Sequence, residues 1–478
     1  MGNIATTIKQ YPRTFWVANT LELFERLAYY GFFMLFANYL TGSTESGALG
    51  FSQSQKGWIM GVGTGILYFL PVVTGAIADK YGFKKVLVLS FVIYASAFIL
   101  LPFFNSFAGV FIMYIYLAIG AALFKPVISA TIAKTTNPEN SSIGFGIFYM
   151  MVNIGSFLGP LLTLFFREGD SYHQVFYISA GFILVNFLLL FFYREPDKQV
   201  NNSSFINSIK TVFGHIWEVL LDFKFVLFLL IVSGFWIMYL QLFFTLPVFI
   251  AQWVDTENMF RFFQENLPFV AEHYAKNGQM DPEFITNFDA MFIVLFQIII
   301  SSVVMRWKAL NSMITGFIIA SIGMALTLYT QNVLFILAAM FVFSIGEMAA
   351  SPKITEYIGS IAPPNKKALY MGYSFIPLFI GNLGAGWISG SVYQQLSDKH
   401  TMVLKTITEK GLTFDANWTK QEFFTHTAQS LHLSNSEFTS YLWNTFNPNT
   451  IWMVVFGIGL TAASLLWLYN HFIIQRQS

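Results

Sequence analysis

Three ionisable side chains stand close together inside the first long apolar stretch of the chain, namely Glu22, Glu25 and Arg26. If this stretch is a helix, they share a face with Tyr29 and Tyr30, because side chains three, four, seven and eight positions apart line the same side. A charged side chain at the centre of a bilayer costs roughly 2.5 to 3.5 kcal/mol. We therefore expect this face to line a water-filled interior, and the cluster is the first candidate site.

The chemistry open to this cluster is proton exchange. Burial favours the protonated form of a carboxyl group, whereas a neighbouring cation favours the ionised form. Arg26 is such a cation, and Lys125 is a second one in the middle of another apolar stretch. An anionic solute bound to Arg26 and Lys125 would release a glutamate, which would then take up a proton, so that the binding of solute and proton would be coupled. The alternatives are a static ion-pair network and, for Lys125, snorkelling to the membrane surface.

The amino-acid composition indicates the class of protein. Of the 478 residues, 55% are hydrophobic and 11% are charged, against about 25% charged in soluble domains, so an integral membrane protein is predicted. The net charge of +1 provides no excess of basic residues of the kind that binds nucleic acids. The chain has no cysteine, and its seven histidines fall in loops or at the ends of apolar stretches. We therefore expect no metal site and no cofactor, and no convergent nucleophile and base of an enzyme is visible.

Twelve apolar stretches are long enough to cross a bilayer, which takes about 20 residues. An even number places both termini on one side, and most lysines and arginines then fall on that side, as is typical of the cytoplasmic face. The sequence predicts an all-α membrane protein with both termini in the cytoplasm. The stretches are 15–40, 56–78, 84–104, 107–133, 143–166, 173–193, 225–250, 286–305, 310–329, 332–361, 368–393 and 450–472.

The longest connection on the terminal side, 194–224, separates six stretches from six. From position 205 it becomes amphipathic, which is typical of a helix lying on the membrane surface. This pattern predicts an N-terminal six-helix bundle at 1–193 and a C-terminal bundle at 225–478, joined by the linker. Two long loops on the opposite side, 251–285 and 394–449, carry helix-cap residues, so short helices are expected in them.

The connection after the second stretch reads Gly75-x-x-x-Asp79-x-x-Gly82-x-Lys84-Lys85. It resembles the loop signature of the major facilitator superfamily at every fixed position. Glycine allows a close helix approach and a tight turn, and Asp79 could pair with a basic residue or cap a neighbouring helix. The resemblance implies twelve transmembrane helices in two six-helix bundles and a gating or structural role for these residues. A chance basic loop is the alternative.

The opening cluster also belongs to a longer pattern. The spacing Glu22-x-x-Glu25-Arg26-x-x-Tyr29-Tyr30-Gly31 resembles the first-helix signature of the proton-coupled oligopeptide transporter (POT) family. Further elements of that family follow in order along most of the chain. They are Tyr68 before Pro71, Phe124-Lys125-Pro126 with Ser129, the run 148–156 around Asn153, Phe235-Trp236 with Gln241, Gly346-Glu347 with Ser351-Pro352, and Met371-Gly372 with Gly381-Asn382.

This resemblance implies a substrate site with two charged sides. The carboxyl terminus of a short peptide would face Arg26 and Lys125, and its amino terminus would face Glu347, the lone carboxylate at comparable depth in the second half. Glu22 and Glu25, with Arg26, would couple the proton. The family comparison adds wall residues, for which plain packing is the alternative because 18% of the chain is aromatic. They are Tyr29, Tyr30, Tyr68, Asn153 and Trp236.

A few positions depart from the family pattern. Val127 stands where an asparagine follows the lysine and proline, Asp289 stands where the eighth stretch is expected to have asparagine, and 373–375 replaces a tryptophan-phenylalanine pair. Lys353 and Glu356 add charges to the tenth stretch, three positions apart, as a gate salt bridge or as a simple interfacial pair. These departures leave the substrate open and do not affect the fold.

These features predict a secondary active transporter, not an enzyme, that imports di- or tripeptides with protons by alternating access. The proton is the expected coupling ion. The expected partners of a monomer are a small peptide or another zwitterionic solute and the lipid bilayer, in a bacterial inner membrane. The alternatives are a proton-coupled carrier of a non-peptide solute and a drug/proton antiporter. The exact substrate, the proton stoichiometry and the roles of the two long loops stay open.

Overall fold

The computed structural model describes residues 8–137, 140–167, 171–196, 214, 221–363 and 367–475. Almost all of its regular structure is helical. The first half contains α1 (Arg13–Thr41), α2 (Gln53–Phe69), α3 (Pro71–Tyr81), α4 (Phe83–Leu100), α5 (Phe107–Lys134), α6 (Ser141–Phe165) and α7 (Tyr172–Leu189).

The second half has more and shorter elements, because helices also form in its two long loops. Its helices are α8 (Phe223–Tyr239), α9 (Gln241–Phe244), α10 (Leu246–Trp253), α11 (Glu257–Asn266), α12 (Pro268–Tyr274), α13 (Pro282–Thr286), α14 (Phe288–Val304), α15 (Ala309–Thr327), α16 (Val333–Ile361), α17 (Lys367–Gly372), α18 (Ile376–Trp387), α19 (Tyr393–Leu396), α20 (Lys399–Lys410), α21 (Lys420–Ser430), α22 (Asn435–Phe446) and α23 (Ile451–Leu468). A small antiparallel hairpin joins β1 (Ala275–Lys276) to β2 (Gln279–Met280).

The number of spans agrees with the sequence once α1 is included. Within the described residues, ten helical segments are long and apolar enough to cross a membrane, and α2 and α3, bent by 44°, make an eleventh. The helix α1 is not in that set and carries the ionisable cluster, but its 29 residues reach about 44 Å at 1.5 Å per residue. This exceeds the roughly 30 Å of a bilayer core. With α1, the eleven become the predicted twelve.

Capping residues set the start of several helices. Ser52 accepts a hydrogen bond from the backbone of Gln55, whose side chain accepts one in return from the backbone of Ser52. Ser434 and Glu437 form the same reciprocal box at α22. Each box satisfies two backbone donors that a helix start leaves open. Short helices are present in both loops, 251–285 and 394–449, as predicted, and those of 394–449 start at side-chain caps.

Small residues let the long helices approach each other at backbone distance. A Cβ atom added to Gly323 on α15 would lie 2.3 Å from the nitrogen of Phe343, and one added to Gly346 on α16 would lie 2.2 Å from the nitrogen of Ala320. No real contact is so short, so only glycine fits at either position. This is the packing expected of membrane helices, whose association depends on close van der Waals contact.

Polar contacts join the two halves at the end that carries the loops 251–285 and 394–449, which we call the outer end. Asn38 on α1 donates from Nδ2 to Glu283 Oε1 at 2.8 Å. Arg167, just after α6, pairs with Asp281 at 3.1 Å. At this end α2 also packs closely against α18. The described residues thus place the tightest contact between the halves at the outer end.

The linker prediction lies largely outside the described residues. Of 194–224, only 194–196, 214 and 221–224 are described, and the amphipathic segment predicted from 205 lies outside them except for Gly214. The division into bundles at 1–193 and 225–478 stays a prediction.

Candidate functional site

The ionisable cluster of α1 is buried and internally paired. Arg26 lies between the two glutamates: its Nε is 3.3 Å from Glu22 Oε1, and its guanidinium pairs with the carboxylate of Glu25. The exposed fractions are 5% for Glu22, 0% for Glu25 and 4% for Arg26. Tyr94 on α4 donates from its hydroxyl to Glu25 Oε1 at 3.1 Å. The cluster therefore faces the protein interior.

Aromatic rings and a second cation surround this cluster. The guanidinium carbon of Arg26 lies 5.4 Å from the ring centre of Tyr29 and 5.7 Å from that of Tyr30. Lys125, on α5, places Nζ 4.2 Å from the ring centre of Tyr68, and its charge interacts with the α1 cluster. Cations over aromatic faces gain about 0.5 to 2 kcal/mol. Four of the predicted residues thus meet around Arg26.

Helix α6 closes the site from the side. A Cβ atom added to Gly155 would lie 2.4 Å from Arg26 Cβ and 3.0 Å from the carbonyl oxygen of Leu23. Two positions earlier, Asn153 donates from Nδ2 to the carbonyl oxygen of Tyr149 at 3.0 Å. The predicted Asn153 is therefore on the helix that packs against the cluster, with its amide held by its own helix.

Replacing Gly155 with alanine is expected to displace α6 from α1 and to move Arg26. Overpacking of this kind costs about 1 to 3 kcal/mol, so we expect a thermal unfolding midpoint several degrees lower in detergent and weaker substrate binding. Gly146→Ala on the same helix is the matched control, because an added Cβ there meets nothing within 4 Å. Equal unfolding midpoints for the two variants would contradict the close approach of α6 to Arg26.

Glu347 lies on α16 in the second half of the chain. Its Oε2 is buried without a hydrogen-bond partner among the described residues, and Tyr239 on α8 is an electrostatic neighbour of its carboxylate. Its charge also interacts electrostatically with Tyr30 on α1 and with Tyr149 on α6. Glu347 therefore faces the first half of the chain, across from the α1 cluster.

Trp236 stands beside this carboxylate. Its ring meets that of Tyr239 edge to face, with centroids 5.0 Å apart, and its Cβ would clash at 2.5 Å with a Cβ on Gly381. The predicted wall residue thus contacts Tyr239, the electrostatic neighbour of Glu347.

The sequence did not predict two residues of the site, which are Tyr94 and Tyr239. Tyr94 is 69 positions from Glu25, and Tyr239 is on a different helix from Glu347. Both are ordinary tyrosines in a chain rich in aromatic residues, with no local signal to mark them. Tertiary packing alone brings these hydroxyls to the carboxylates.

The loop that resembles the superfamily signature is built around Gly82. This glycine has φ of +96°, a region that favours glycine, and a Cβ there would lie 2.9 Å from Glu195 Oε1. Glu195 accepts a hydrogen bond from the nitrogen of Phe83 at 2.7 Å and so caps α4. Asp79, expected to pair or to cap, is exposed and forms no ion pair with the described residues. The capping carboxylate is Glu195 instead.

The other loop residues have simple surroundings. A Cβ on Gly75 would lie 3.8 Å from Pro126 Cβ, so α3 passes close to α5. Lys84 donates to the carbonyl oxygen of Tyr193 at 3.4 Å, a long hydrogen bond, and Lys85 is exposed. The gating role of these residues stays a prediction.

Lys353 and Glu356 form a local pair on α16. Nζ of Lys353 lies 2.8 Å from Glu356 Oε2, and the Glu356 side chain is 55% exposed. The Lys353 side chain is buried, with 7% exposed. Within the described residues this pair connects no other helix, and its role as a gate or as an interfacial pair stays a prediction.

Lys56 is a buried cation at the outer end. Its side chain is 0% exposed, Nζ donates to the carbonyl oxygen of Phe244 at 2.8 Å, and it stands 5.4 Å from the ring centre of Tyr393. It therefore ties α2 in the first half to α9 in the second.

Replacing Lys56 with methionine is expected to loosen the outer closure. The readout is the labelling rate of a Ser43→Cys variant, since Ser43 lines an outer cavity of about 840 Å³ and the chain has no other cysteine. We expect Lys56→Met to speed labelling severalfold. Lys399→Met is the control, because Lys399 donates to Thr439 within the second half. Equal rates in both variants would contradict a closing role for Lys56.

No group of three or more metal-ligating side chains occurs in the described part of the chain. The site is thus a constellation of charges and tyrosines: two carboxylates, an arginine and a lysine in one half, and a carboxylate in the other.

Comparison with known proteins shows which families this chain is similar to. A sequence model of the Major Facilitator Superfamily matches residues 23–255. A solved mutant of the peptide transporter POT in complex with alafosfalin has the same fold, with a TM-score of 0.66 and 16% identity over 96% of this chain and 94% of that one. The chain is therefore similar to the major facilitator superfamily over residues 23–255, and its helices are those of a multi-pass integral membrane protein. The predicted fold class is confirmed.

Curated relatives fall into more than one named group. The peptide transporter YePEPT of Yersinia enterocolitica is 24% identical over 442 residues, 78% of this chain and 86% of that protein. The multidrug resistance protein MdtH of Proteus mirabilis is 23% identical over 382 residues, 77% and 86% of the two chains. The uncharacterized transporter YclF of Bacillus subtilis is 25% identical over 202 residues, and this chain spans 41% of its length. Named peptide transporters are thus among the proteins to which this chain is similar, as the resemblance to the POT family predicts.

Proposed function

We propose that this protein imports di- or tripeptides together with protons by alternating access. The observation that carries the proposal is the separation of charge across the site. Arg26 and Lys125 supply positive charge in one half of the chain, and Glu347 supplies negative charge in the other. A free peptide is a zwitterion whose two charges lie at opposite ends, so its ends match the two sides. The names of the relatives YePEPT and POT support this substrate class.

The pairing around Arg26 supports coupling to protons. Without substrate, Arg26 is held by Glu22 at 3.3 Å and by Glu25. A substrate carboxylate that binds Arg26 competes with these partners. A buried carboxylate that loses its cation is disfavoured in its ionised form and takes up a proton. Peptide binding and proton binding thus favour each other, which is the requirement of symport.

The contacts between the halves support alternating access. The described contacts that join them concentrate at the outer end, where Lys56 binds the Phe244 carbonyl and Arg167 binds Asp281. Rocking of one half against the other would break these contacts and open the site to the outer side. The loops 251–285 and 394–449 would take part, because they supply Asp281 and other outer contacts.

The remaining features belong to the same proposal. The protein acts as a monomeric secondary transporter, not as an enzyme, with both termini in the cytoplasm of a bacterium and the helices in its inner membrane. The proton is its coupling ion, and it uses no other cofactor.

Uptake into proteoliposomes tests the proposal. With an inward proton gradient, a labelled dipeptide is expected to accumulate above its external concentration, and a protonophore is expected to abolish the accumulation. Dipeptide uptake that does not depend on the proton gradient would refute symport. The absence of any dipeptide uptake would refute the peptide substrate.

A second candidate is a drug/proton antiporter, which the relative MdtH favours. Competition between a dipeptide library and a panel of lipophilic cations for any measured flux separates the two functions. We expect dipeptides with both termini free to compete and the lipophilic cations to be inert; the reverse result would favour the antiporter.

A further inference from the structure

A second acidic side chain lies beside Glu347. Asp289, near the start of α14, is 4% exposed and accepts a hydrogen bond from the hydroxyl of Ser344 at 2.5 Å. Ser344 is three positions before Glu347 on α16, so the two side chains share a face of that helix. The carboxylates of Asp289 and Glu347 interact with each other. The second half therefore holds a pair of neighbouring acids and not a single one.

The groups that face this pair are neutral. Helix α8 contributes Tyr239, and α1 and α6 contribute Tyr30 and Tyr149, each an electrostatic neighbour of Glu347. No lysine or arginine of the described chain forms an ion pair with Asp289 or Glu347. Arg26, on the opposite side of the site, is paired with its own glutamates.

Two buried carboxylates without a cation cannot both be ionised at neutral pH, because like charges in a poorly solvated site repel each other strongly. One proton on the pair removes the repulsion. The Ser344 hydroxyl stabilises a charge on Asp289, so the proton can reside on Glu347 as well as on Asp289. Oε2 of Glu347, which has no partner, is the atom open to a ligand.

We propose that Asp289 and Glu347 share one proton in the empty transporter and release it to water in the cavity when a substrate ammonium group binds Glu347. The acid O–H bond breaks, the ammonium group arrives with its own proton, and the pair is left with two negative charges, one of which the ammonium neutralises. This makes Asp289 a positioning residue for the amino-terminal side of the proposed peptide site. This release opposes symport, so net entry of a proton with the peptide requires Glu22 and Glu25 to take up one proton each when the substrate carboxylate occupies Arg26.

Infrared difference spectra of the purified, substrate-free protein test the shared proton. The C=O band of a protonated carboxyl group is measured in the wild type and in Asp289→Asn and Glu347→Gln. We expect each single substitution to keep the band but to shift its frequency, because the remaining buried carboxyl group then holds the proton alone, and the double variant to remove the band. Loss of the band in one single variant with no change in the other would place the proton on one residue alone and overturn the proposal, as would a wild type without the band.

Two further variants keep this test interpretable. Glu356→Gln, an exposed carboxylate on the same helix, is expected to leave the band unchanged. Ser344→Ala removes only the donor to Asp289, so the band is expected to remain and to shift in frequency as the proton moves to Asp289. An unchanged band frequency would contradict the role of Ser344. The spectrum of Ser344→Ala can still be measured if Asp289→Asn or Glu347→Gln fails to fold.

The release of the shared proton on substrate binding rests on the proposed function. The experiment distinguishes failure of this step from failure of the proposed function. Adding a dipeptide with a free amino terminus is expected to remove the band, whereas its N-acetylated form is expected to leave it. If thermal shift shows no binding of any peptide, the peptide function fails while the spectra of the empty protein still decide the shared proton. If the free dipeptide binds and the band stays, the exchange is refuted.

Discussion

Replacing Glu25 with glutamine is expected to abolish proton-driven accumulation of a dipeptide while peptide exchange across the membrane continues. Glu25 is fully buried, pairs with Arg26 and accepts a hydrogen bond from Tyr94. An amide retains the shape of the side chain but cannot take up a proton. Arg26 keeps Glu22 as a partner, so binding should change only a few-fold. Accumulation should fall at least tenfold, to the level without a gradient.

The control for this variant is Glu437→Gln, which changes an exposed carboxylate on α22 and should alter neither accumulation nor exchange. Accumulation that is retained in Glu25→Gln and lost in Glu22→Gln would move the coupling role to Glu22. Normal behaviour of Glu25→Gln in both assays would refute its role.

Replacing Lys125 with glutamine is expected to weaken dipeptide binding by about 10- to 100-fold. Hydrogen bonds to charged groups contribute about 1.5 to 3 kcal/mol, and each 1.4 kcal/mol is a factor of ten in affinity. Lys125 is held over Tyr68 and forms no ion pair in the described chain, so its charge is free for a substrate carboxylate. Equilibrium binding to the purified protein measures the loss.

The matched control for Lys125 lies on the substrate. A dipeptide with an amidated carboxyl terminus carries no negative charge, so its affinity should be equal in the wild type and in Lys125→Gln. An equal loss for the free and the amidated dipeptide would show that the substitution disturbs the site in general, and would remove Lys125 from carboxylate recognition.

Residues that are near in sequence could be predicted because helix geometry is regular. Glu22, Glu25 and Arg26 were expected on one face, and the structure pairs them there. Twelve spans follow from hydropathy in the same way, and Ser434 could be recognised as a cap from its own segment.

Contacts between distant segments gave no such signal. Tyr94 and Glu195 reach Glu25 and the start of α4 from positions 69 and 112 residues away. The surroundings of Asp289 are similar: the sequence shows a departure from the family pattern, and only the packing of α14 on α16 brings it to Ser344 and Glu347. These positions depend on how long helices meet, which local periodicity does not specify.

Substrate-driven proton entry tests the central claim most directly. Proteoliposomes containing a pH-sensitive dye in the lumen, with no initial proton gradient, receive a dipeptide on the outside. We predict that the lumen acidifies as the dipeptide enters, that Glu25→Gln gives dipeptide exchange without acidification, and that a dipeptide blocked at both ends gives neither. Entry of the dipeptide into wild-type vesicles without acidification of the lumen would contradict proton-coupled peptide transport.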